Sequence, residues 1–288
     1  MNVVLSLDVG GTKLAGALVD ADGQILLRVE RPTPRSADDL GDPELAGTLA
    51  LAGTLRAEAA ARDWRITAVG AGFPEYVDDT GRLTSREVLA WTKQPADLLG
   101  RTGTEPCVVE SDVRCGALAE WRLGAGAGTS GLFYVSIGTG LSSTLVADGR
   151  LVRGARGEAI ALGELPSVDG SAHTGPRRLR RPTPTPNRNL EAYASGAGVA
   201  ARGGGAGALE SAGTALGAVL ATMVLPLLDP PLIVIGGGLG TADTPYWTAL
   251  TETYDRLAAR RPNPPPVVRA KLGAHAGLVG AALFAYGA

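Results

Sequence analysis

Cysteine is almost missing from this chain. Cys107 and Cys115 are the only two in 288 residues, too few for a disulfide framework or a cysteine-rich zinc site. Lysine is scarce too, three of 27 basic residues. With the richness in Ala, Gly and Arg, this reads as a GC-rich genome and carries no functional weight. No sign of charge dominates: 27 basic residues face 29 acidic ones. That removes any general electrostatic case for nucleic acid or an anionic membrane as partner. No apolar run reads as long enough to span a bilayer, and no signal precedes the first strand, so the expected location is the cytoplasm. Length is not lacking: 288 residues can hold two domains with substantial cores.

What is present is concentrated at the beginning, in VVLSLDVGGTKLAGALVD from Val3 to Asp20. An apolar run ends in Asp8; Gly10, Gly11, Thr12 and Lys13 follow; then an alternating run resumes at Leu14. The pattern predicts strand, glycine turn, strand. Adjacent glycines let the backbone bring its N–H groups close to a ligand, and converging N–H groups form an anion site to which Thr12 adds a hydroxyl and Lys13 a charge. A carboxylate beside phosphate makes sense if a divalent cation lies between them, as magnesium does. An ordinary Gly-Gly hairpin is the alternative for this stretch taken alone. It is not a Walker loop, because the spacing differs and a strand follows the glycines.

Further along, Asp22-Gly23 separates two alternating runs as a hairpin turn would. Residues 36–62 predict a helix, Ile66 to Phe73 a buried strand ending at Pro74, and Cys107 to Glu110 a short strand closed by Ser111 and Asp112. Helical spacing continues over Val113 to Leu123. This alternation argues for an α/β layer structure. Gly131 to Val152 then repeats the opening plan, with a loop of Gly138, Thr139 and Gly140 and a turn at Asp148-Gly149. Two copies of one hairpin unit suggest two similar lobes offering glycine loops to a ligand between them. A third loop, Gly236, Gly237 and Gly238, follows the strand Leu232 to Ile235 and a helical run from Gly213 to Leu228. Strand ends are where ligand crevices form in α/β proteins.

On these motifs the chain resembles the ROK (repressor, open reading frame, kinase) sugar kinases, whose fold is that of the actin-like ATPases and hexokinase. LDVGGTKLAGALVD is similar to the family's first phosphate loop and Ile137 to Leu141 to the second. LLDPPLIVIGGGLG is similar to its adenosine-binding segment, LGAHAGLVGAALFA to its closing helix, and EAYASG at Glu191 to Gly196 is characteristic. The resemblance implies a two-lobed α/β fold, a duplicated ribonuclease H-like unit around a central cleft. Its lobes are expected at 1–114 with 275–288, and at 115–274. It implies ATP with magnesium, the metal held by Asp8 through nucleotide and water, phosphoryl transfer to a hydroxyl of a sugar-like acceptor, and a homodimer. The family's Glu-Asn-Asp segment reads Glu110-Ser111-Asp112 here, making Asp112 the candidate general base; capping of the following helix is its bland alternative.

The departures fall on the acceptor side. Where the family carries Gly-Glu-x-Gly-His, this chain has Ile160-Ala161-Leu162-Gly163-Glu164, so Ala161 stands for the acceptor-binding Glu and Glu164 for the His. Ser111 and Ser85 replace Asn residues, Glu75 stands where a Gly is expected after Pro74, and the zinc-binding cysteines are absent. Asp112 and Glu191 keep the pattern. Glu75, Ser85, Ser111, Asp112, Glu164 and Glu191 are therefore the expected acceptor contacts. The reading is a zinc-free kinase of a non-standard acceptor such as a cyclitol, amino sugar or modified sugar. A non-catalytic metabolite sensor and an ordinary glucokinase with a rewritten pocket are its rivals. The family's repressors carry an N-terminal helix-turn-helix, and the first strand here begins at Val3, so no nucleic-acid partner is expected. The run Arg177, Arg178, Arg180, Arg181 and Arg188, spaced by prolines, reads as a solvated loop. His173 and His275 read as surface or supporting residues, Trp91 and Trp121 as core or cleft wall.

Overall fold

The computed structural model describes residues 1–35, 40–166 and 189–287. The arginine run, His173 and the expected zinc-free stretch before Asn189 lie outside them. Three strands open the chain: β1 (Asn2–Val9), β2 (Lys13–Val19) and β3 (Ile25–Pro32). They pair antiparallel in succession, as the strand, glycine turn, strand pattern predicts. Then come α1 (Ala46–Ala60), β4 (Arg65–Phe73), α2 (Pro95–Leu99), β5 (Cys107–Ser111) and α3 (Asp112–Leu123). β4 runs parallel to β1 and β5 parallel to β4, giving a sheet of order β3-β2-β1-β4-β5.

β1 is a continuous apolar run because both of its faces are covered. Val3, Leu5, Leu7 and Val9 join a core with Leu51 and Leu55 of α1. Val4, pointing the other way, packs with Leu278 and Ala282 near the end of the chain. Ser6 shares that second face, and its hydroxyl donates to the Leu278 carbonyl at 2.5 Å.

The remaining elements are β6 (Leu132–Ile137), β7 (Leu141–Ala147), β8 (Arg150–Val152), α4 (Leu190–Ala194), α5 (Gly196–Ala201), α6 (Ala206–Val219), α7 (Leu225–Leu228), β9 (Ile233–Gly236), α8 (Gly238–Thr241), α9 (Pro245–Ala258), β10 (Val267–Arg269) and α10 (Ala276–Tyr286). The second sheet has the order β10-β9-β6-β7-β8. Between β7 and β8, Asp148 and Gly149 have φ of 48° and 75°, the left-handed pair that a two-residue hairpin loop requires.

The chain divides into two compact units, Met1–Tyr134 with Thr144–Ile160 and Lys271–Ala288, and Val135–Ser143 with Ala161–Ala270. Helix α3 belongs to the first, beyond the lobe boundary expected at 114, because it packs on α10. At their crossing a side chain on Gly280 would collide with the Cys115 carbonyl. The Glu120 carboxylate ties the same elements. It accepts the N–H groups of Ala125 at 2.8 Å, Lys271 at 3.0 Å and Leu272 at 2.7 Å.

One sequence expectation is corrected. Ala206–Leu228 is helical throughout, 23 residues with a hydropathy of 1.8, long and apolar enough to cross a membrane by those measures. Alanines and glycines dilute its leucines, so no unbroken apolar run was visible. Leu216, Leu220 and Val224 are buried in the protein, as in the core helix of a folded domain. A π-helical turn over Leu220–Val224 precedes Pro226, whose ring cannot donate a hydrogen bond to the turn before it.

Candidate functional site

In the first unit the candidate residues collect at one end of the sheet. Asp8 of β1 lies in register with Gly72 of β4, and Gly72 with Glu110 of β5. With neighbouring strands about 4.8 Å apart, Asp8 and the end of β5 are about 10 Å from each other across the sheet. Asp112 is the first residue of α3, directly after β5. It accepts the N–H of Val113 on Oδ1 at 2.6 Å, so it contributes to the helix start. Burial, and then the charge of Asp8, push its pKa up to about 7. Burial likewise raises Asp8 to about 6, opposed by the charges of Lys13 and Arg28. Two raised carboxylates at one sheet end make this a candidate site.

Asp8 also faces the first turn of α10. A Cβ on Gly277 would lie 2.6 Å from Asp8 Oδ2, so only glycine lets the helix start approach the carboxylate. The glycine loop between β1 and β2 is closed by Gly10 N–H donating to the Lys13 carbonyl at 2.9 Å. Thr33 clasps it from β3's end, its hydroxyl donating to Gly10 O at 2.6 Å and its N–H to Thr12 O at 3.0 Å. The Thr12 residue is exposed. Lys13 pairs with Glu30 at 2.5 Å, and Arg28 with the same carboxylate oxygen at 2.7 Å.

Behind Asp112 is a buried ion network. Glu110 accepts the Ser111 N–H at 2.8 Å and the Arg114 guanidinium at 2.7 Å on Oε1, and pairs with Arg153 on Oε2. Arg114, wholly buried, also donates to the carbonyls of Val77, at 3.0 Å, and Gly157. Sequence reasoning named Glu110 only within the Glu110-Ser111-Asp112 segment and passed over Thr33, Arg114 and Gly277. The closing-helix motif was the available signal for Gly277; nothing local marked Thr33 or Arg114.

Two of the expected acceptor contacts in this unit, Glu75 and Ser85, are engaged with the protein itself. Ser111 is fully buried, and Glu75 is 3% exposed. Glu75 accepts four hydrogen bonds, one of them from Ser85.

In the second unit the other two glycine loops come together. Gly138 N–H donates to Gly140 O at 3.0 Å, and Gly196 and Ala197 donate to the carbonyls of Gly138 and Thr139 at 2.8 and 3.1 Å. Glu191, near the start of α4, accepts the Leu141 N–H at 2.8 Å on Oε2. The EAYASG segment thus braces the second loop: Asn189 and Ser195 cap α4 and α5 with their side chains, and α5 starts against the loop's carbonyls. Glu164 is exposed in a short turn, Leu162–Glu164, and a Cβ on the neighbouring Gly163 would lie 2.9 Å from Glu191 Cβ. The turn therefore packs against Glu191 at Gly163. Gly236 ends β9; Gly237, at φ 80°, sits against the Ile137 backbone. Side chains added at Gly138 or Gly238 would meet no atom within 4 Å. Packing does not require glycine at these two positions, which leaves their backbones open to a phosphate or sugar group.

The Asp8 carboxylate is an oxygen ligand of the kind magnesium takes, while the helix N-terminus and the turn of backbone N–H groups beside it suit the phosphates such an ion would bridge. Among the described residues no group of three or more His, Cys, Asp or Glu side chains could hold a metal by itself, so Asp8 would hold the ion together with nucleotide phosphates and water.

The sequence pattern of the ROK family matches residues 4–212 and 204–287. The chain belongs to that family, and its two-sheet α/β architecture is the actin-like ATPase fold. Among solved structures it is similar to a ROK family glucokinase from Streptomyces griseus in complex with glucose and AMPPNP, at 25% identity and TM-score 0.76, covering 99% of this chain and 100% of that one. An N-acetylmannosamine kinase of Escherichia fergusonii is 31% identical over 98% of each chain. A glucokinase of Streptomyces coelicolor is 30% identical over 58% of this chain. The chain spans about half the length of the first curated relatives it matches, 51% of that glucokinase.

Proposed function

We propose that this protein is an ATP-dependent kinase that phosphorylates a hydroxyl of a sugar-like small molecule. One observation supports it above others: Asp112, with a pKa near 7, shares a sheet end with Asp8 and the first glycine loop. A carboxylate of that pKa is ionised often enough near neutrality to take a hydroxyl proton, and basic enough to hold it as the oxygen attacks phosphorus. Asp8 would hold magnesium, which when bound neutralises phosphate charge. The N–H groups of Gly11 and Thr12 in the first unit, and of Thr139 and Gly140 in the second, would orient phosphates, and Gly236–Gly238 would support the nucleoside. The relatives named above act, by their names, on glucose or N-acetylmannosamine, which favours a sugar-like acceptor.

The finer reading is an acceptor other than glucose. Ala161 offers no side-chain hydrogen bond, and Glu164 only accepts where a neutral His both donates and accepts. Two such mismatches, at about 1–3 kcal/mol each, put glucose from about 30-fold to about 10⁴-fold below the true acceptor. A cyclitol, amino sugar or modified sugar is the acceptor class, with Asp112 in the first unit and Glu164 and Glu191 in the second as the candidate contacts. Assays of ADP release with glucose, N-acetylmannosamine, neutral cyclitols and aminocyclitols at equal concentration test both levels. No turnover with any hydroxyl acceptor overturns the kinase; glucose as best acceptor with ordinary efficiency overturns the finer reading. The same reading makes the enzyme a cytoplasmic homodimer, measured by fractionation and sedimentation equilibrium.

A further inference from the structure

Glu75 and Ser85, two departures ten residues apart, touch each other. The Ser85 hydroxyl donates to Glu75 Oε2 at 2.6 Å and accepts the Tyr76 N–H at 2.8 Å. The Glu87 N–H donates to the same carboxylate oxygen at 2.9 Å. On Oε1, Glu75 takes the N–H groups of Val88 at 2.9 Å and Leu89 at 3.0 Å. A carboxylate has about four lone-pair sites, and all are occupied. The hydroxyl has likewise used its proton on Glu75.

The segment held this way is not an idle loop. Trp91 Nε1 donates to the Ser85 carbonyl at 3.0 Å, and the Gly41 and Val88 backbones are joined by Gly41 N–H to Val88 O at 2.8 Å. A Cβ on Gly11 would lie 2.5 Å from Val88 Cγ1, so Val88 is the wall against which the first glycine loop rests. Every turn of the Glu75 carboxylate would shift that wall.

We propose that Glu75 and Ser85 are one clamp, positioning residues that set Val88 against Gly11 and so fix the first glycine loop, and that neither contacts the acceptor. The inference rests on the kinase reading and sharpens it: of the acids assigned to the acceptor, Glu75 leaves the recognition set, while Asp112, Glu164 and Glu191 remain.

Glu75→Gln tests it, since an amide nitrogen must now face one of two pairs of donors. Ser85→Ala, which removes a single bond, is the milder partner variant should Glu75→Gln fail to fold. A clamp predicts that KM for magnesium-ATP rises at least about ten-fold in Glu75→Gln and less in Ser85→Ala. It also predicts that kcat/KM falls by the same factor for a neutral and an amino acceptor, and that Val88→Ala reproduces the nucleotide defect. A direct acceptor contact predicts the reverse: an unchanged nucleotide KM and a neutral-to-amino preference altered ten-fold or more, which would overturn the proposal. Amide hydrogen exchange gives a readout independent of turnover. Loss of two bonds in Glu75→Gln should speed exchange about 100-fold at Val88 and Leu89, or at Glu87, according to which pair the amide nitrogen faces, and a smaller acceleration at Glu87 should follow in Ser85→Ala. Unchanged protection in both variants refutes the clamp whether or not the protein proves to be a kinase.

Discussion

Replacing Asp112 by Asn should stabilise the unliganded protein at alkaline pH while abolishing most of its turnover. Folding raises the Asp112 pKa from 3.8 to about 7, chiefly by burial and then by the charge of Asp8. Near pH 3 both folded and unfolded chains hold the proton, and wild type carries no penalty. Between about pH 4 and 7 the unfolded chain has released a proton that the folded chain retains, so the stability of wild type falls as pH rises. Above pH 7 the folded protein bears the full cost of a desolvated charge. Three units at 1.36 kcal/mol each set a ceiling of about 4 kcal/mol. Asp112 keeps partial contact with solvent, and its raised pKa is shared with Asp8, so roughly 2 kcal/mol is the working figure. The Asn oxygen can still accept the Val113 N–H. Thermal melts of both proteins at pH 4 and pH 8 read the difference. It should be near zero at pH 4 and about 4–8 °C in favour of Asp112→Asn at pH 8, with turnover down about 10²–10⁴-fold. A variant less stable than wild type at pH 8, or a difference that does not change with pH, refutes the argument that this carboxylate is held against its own solvation.

Asp8→Ala should lose magnesium-dependent nucleotide binding, measured by calorimetry with magnesium-ADP against ADP and chelator, because phosphate charge is then less well neutralised. Gly277→Ala should weaken the same binding at least ten-fold with little loss of fold, its methyl group entering the space where Asp8 Oδ2 would be 2.6 Å away. Arg114→Ala should cost about 3–5 kcal/mol in urea unfolding, since the buried Glu110 loses one of its two cationic partners and the carbonyls of Val77 and Gly157 lose their donor.

Local grammar carried much of the fold into view. The β1 turn to β2, the Asp148-Gly149 hairpin and the strand before Asp112 were legible because each is specified within a few residues by period-two burial and turn chemistry. The glycine loops were legible for the same reason, and Asp8 and Asp112 because a carboxylate at a strand end is conspicuous. The Glu75 clamp was not, since its partners lie ten to fourteen residues away in an irregular loop where no periodicity reports on contact. Taken as a new acid in a pocket, Glu75 is instead saturated by three backbone donors and the Ser85 hydroxyl. Arg114 looked like any polar residue in a helix, because the carbonyls it serves, Val77 and Gly157, are 37 and 43 positions distant. The membrane-length helix escaped notice because hydropathy summed over Ala206–Leu228 is high while no short stretch is extreme.

Glu120 has a consequence for biosynthesis. The two backbone N–H groups it receives from Lys271 and Leu272 belong to the start of the segment that covers the second face of β1 through Leu278 and Ala282. A ribosome therefore delivers the first sheet early, with one face unsheltered, and must translate well over a hundred further residues before its cover arrives. Apolar side chains such as Val4, Val19 and Ala68 wait exposed for that interval. The second unit, which needs nothing beyond Ala270, can close before the first is complete. The nascent chain is then most exposed to chaperones, and to aggregation, at the end it made first.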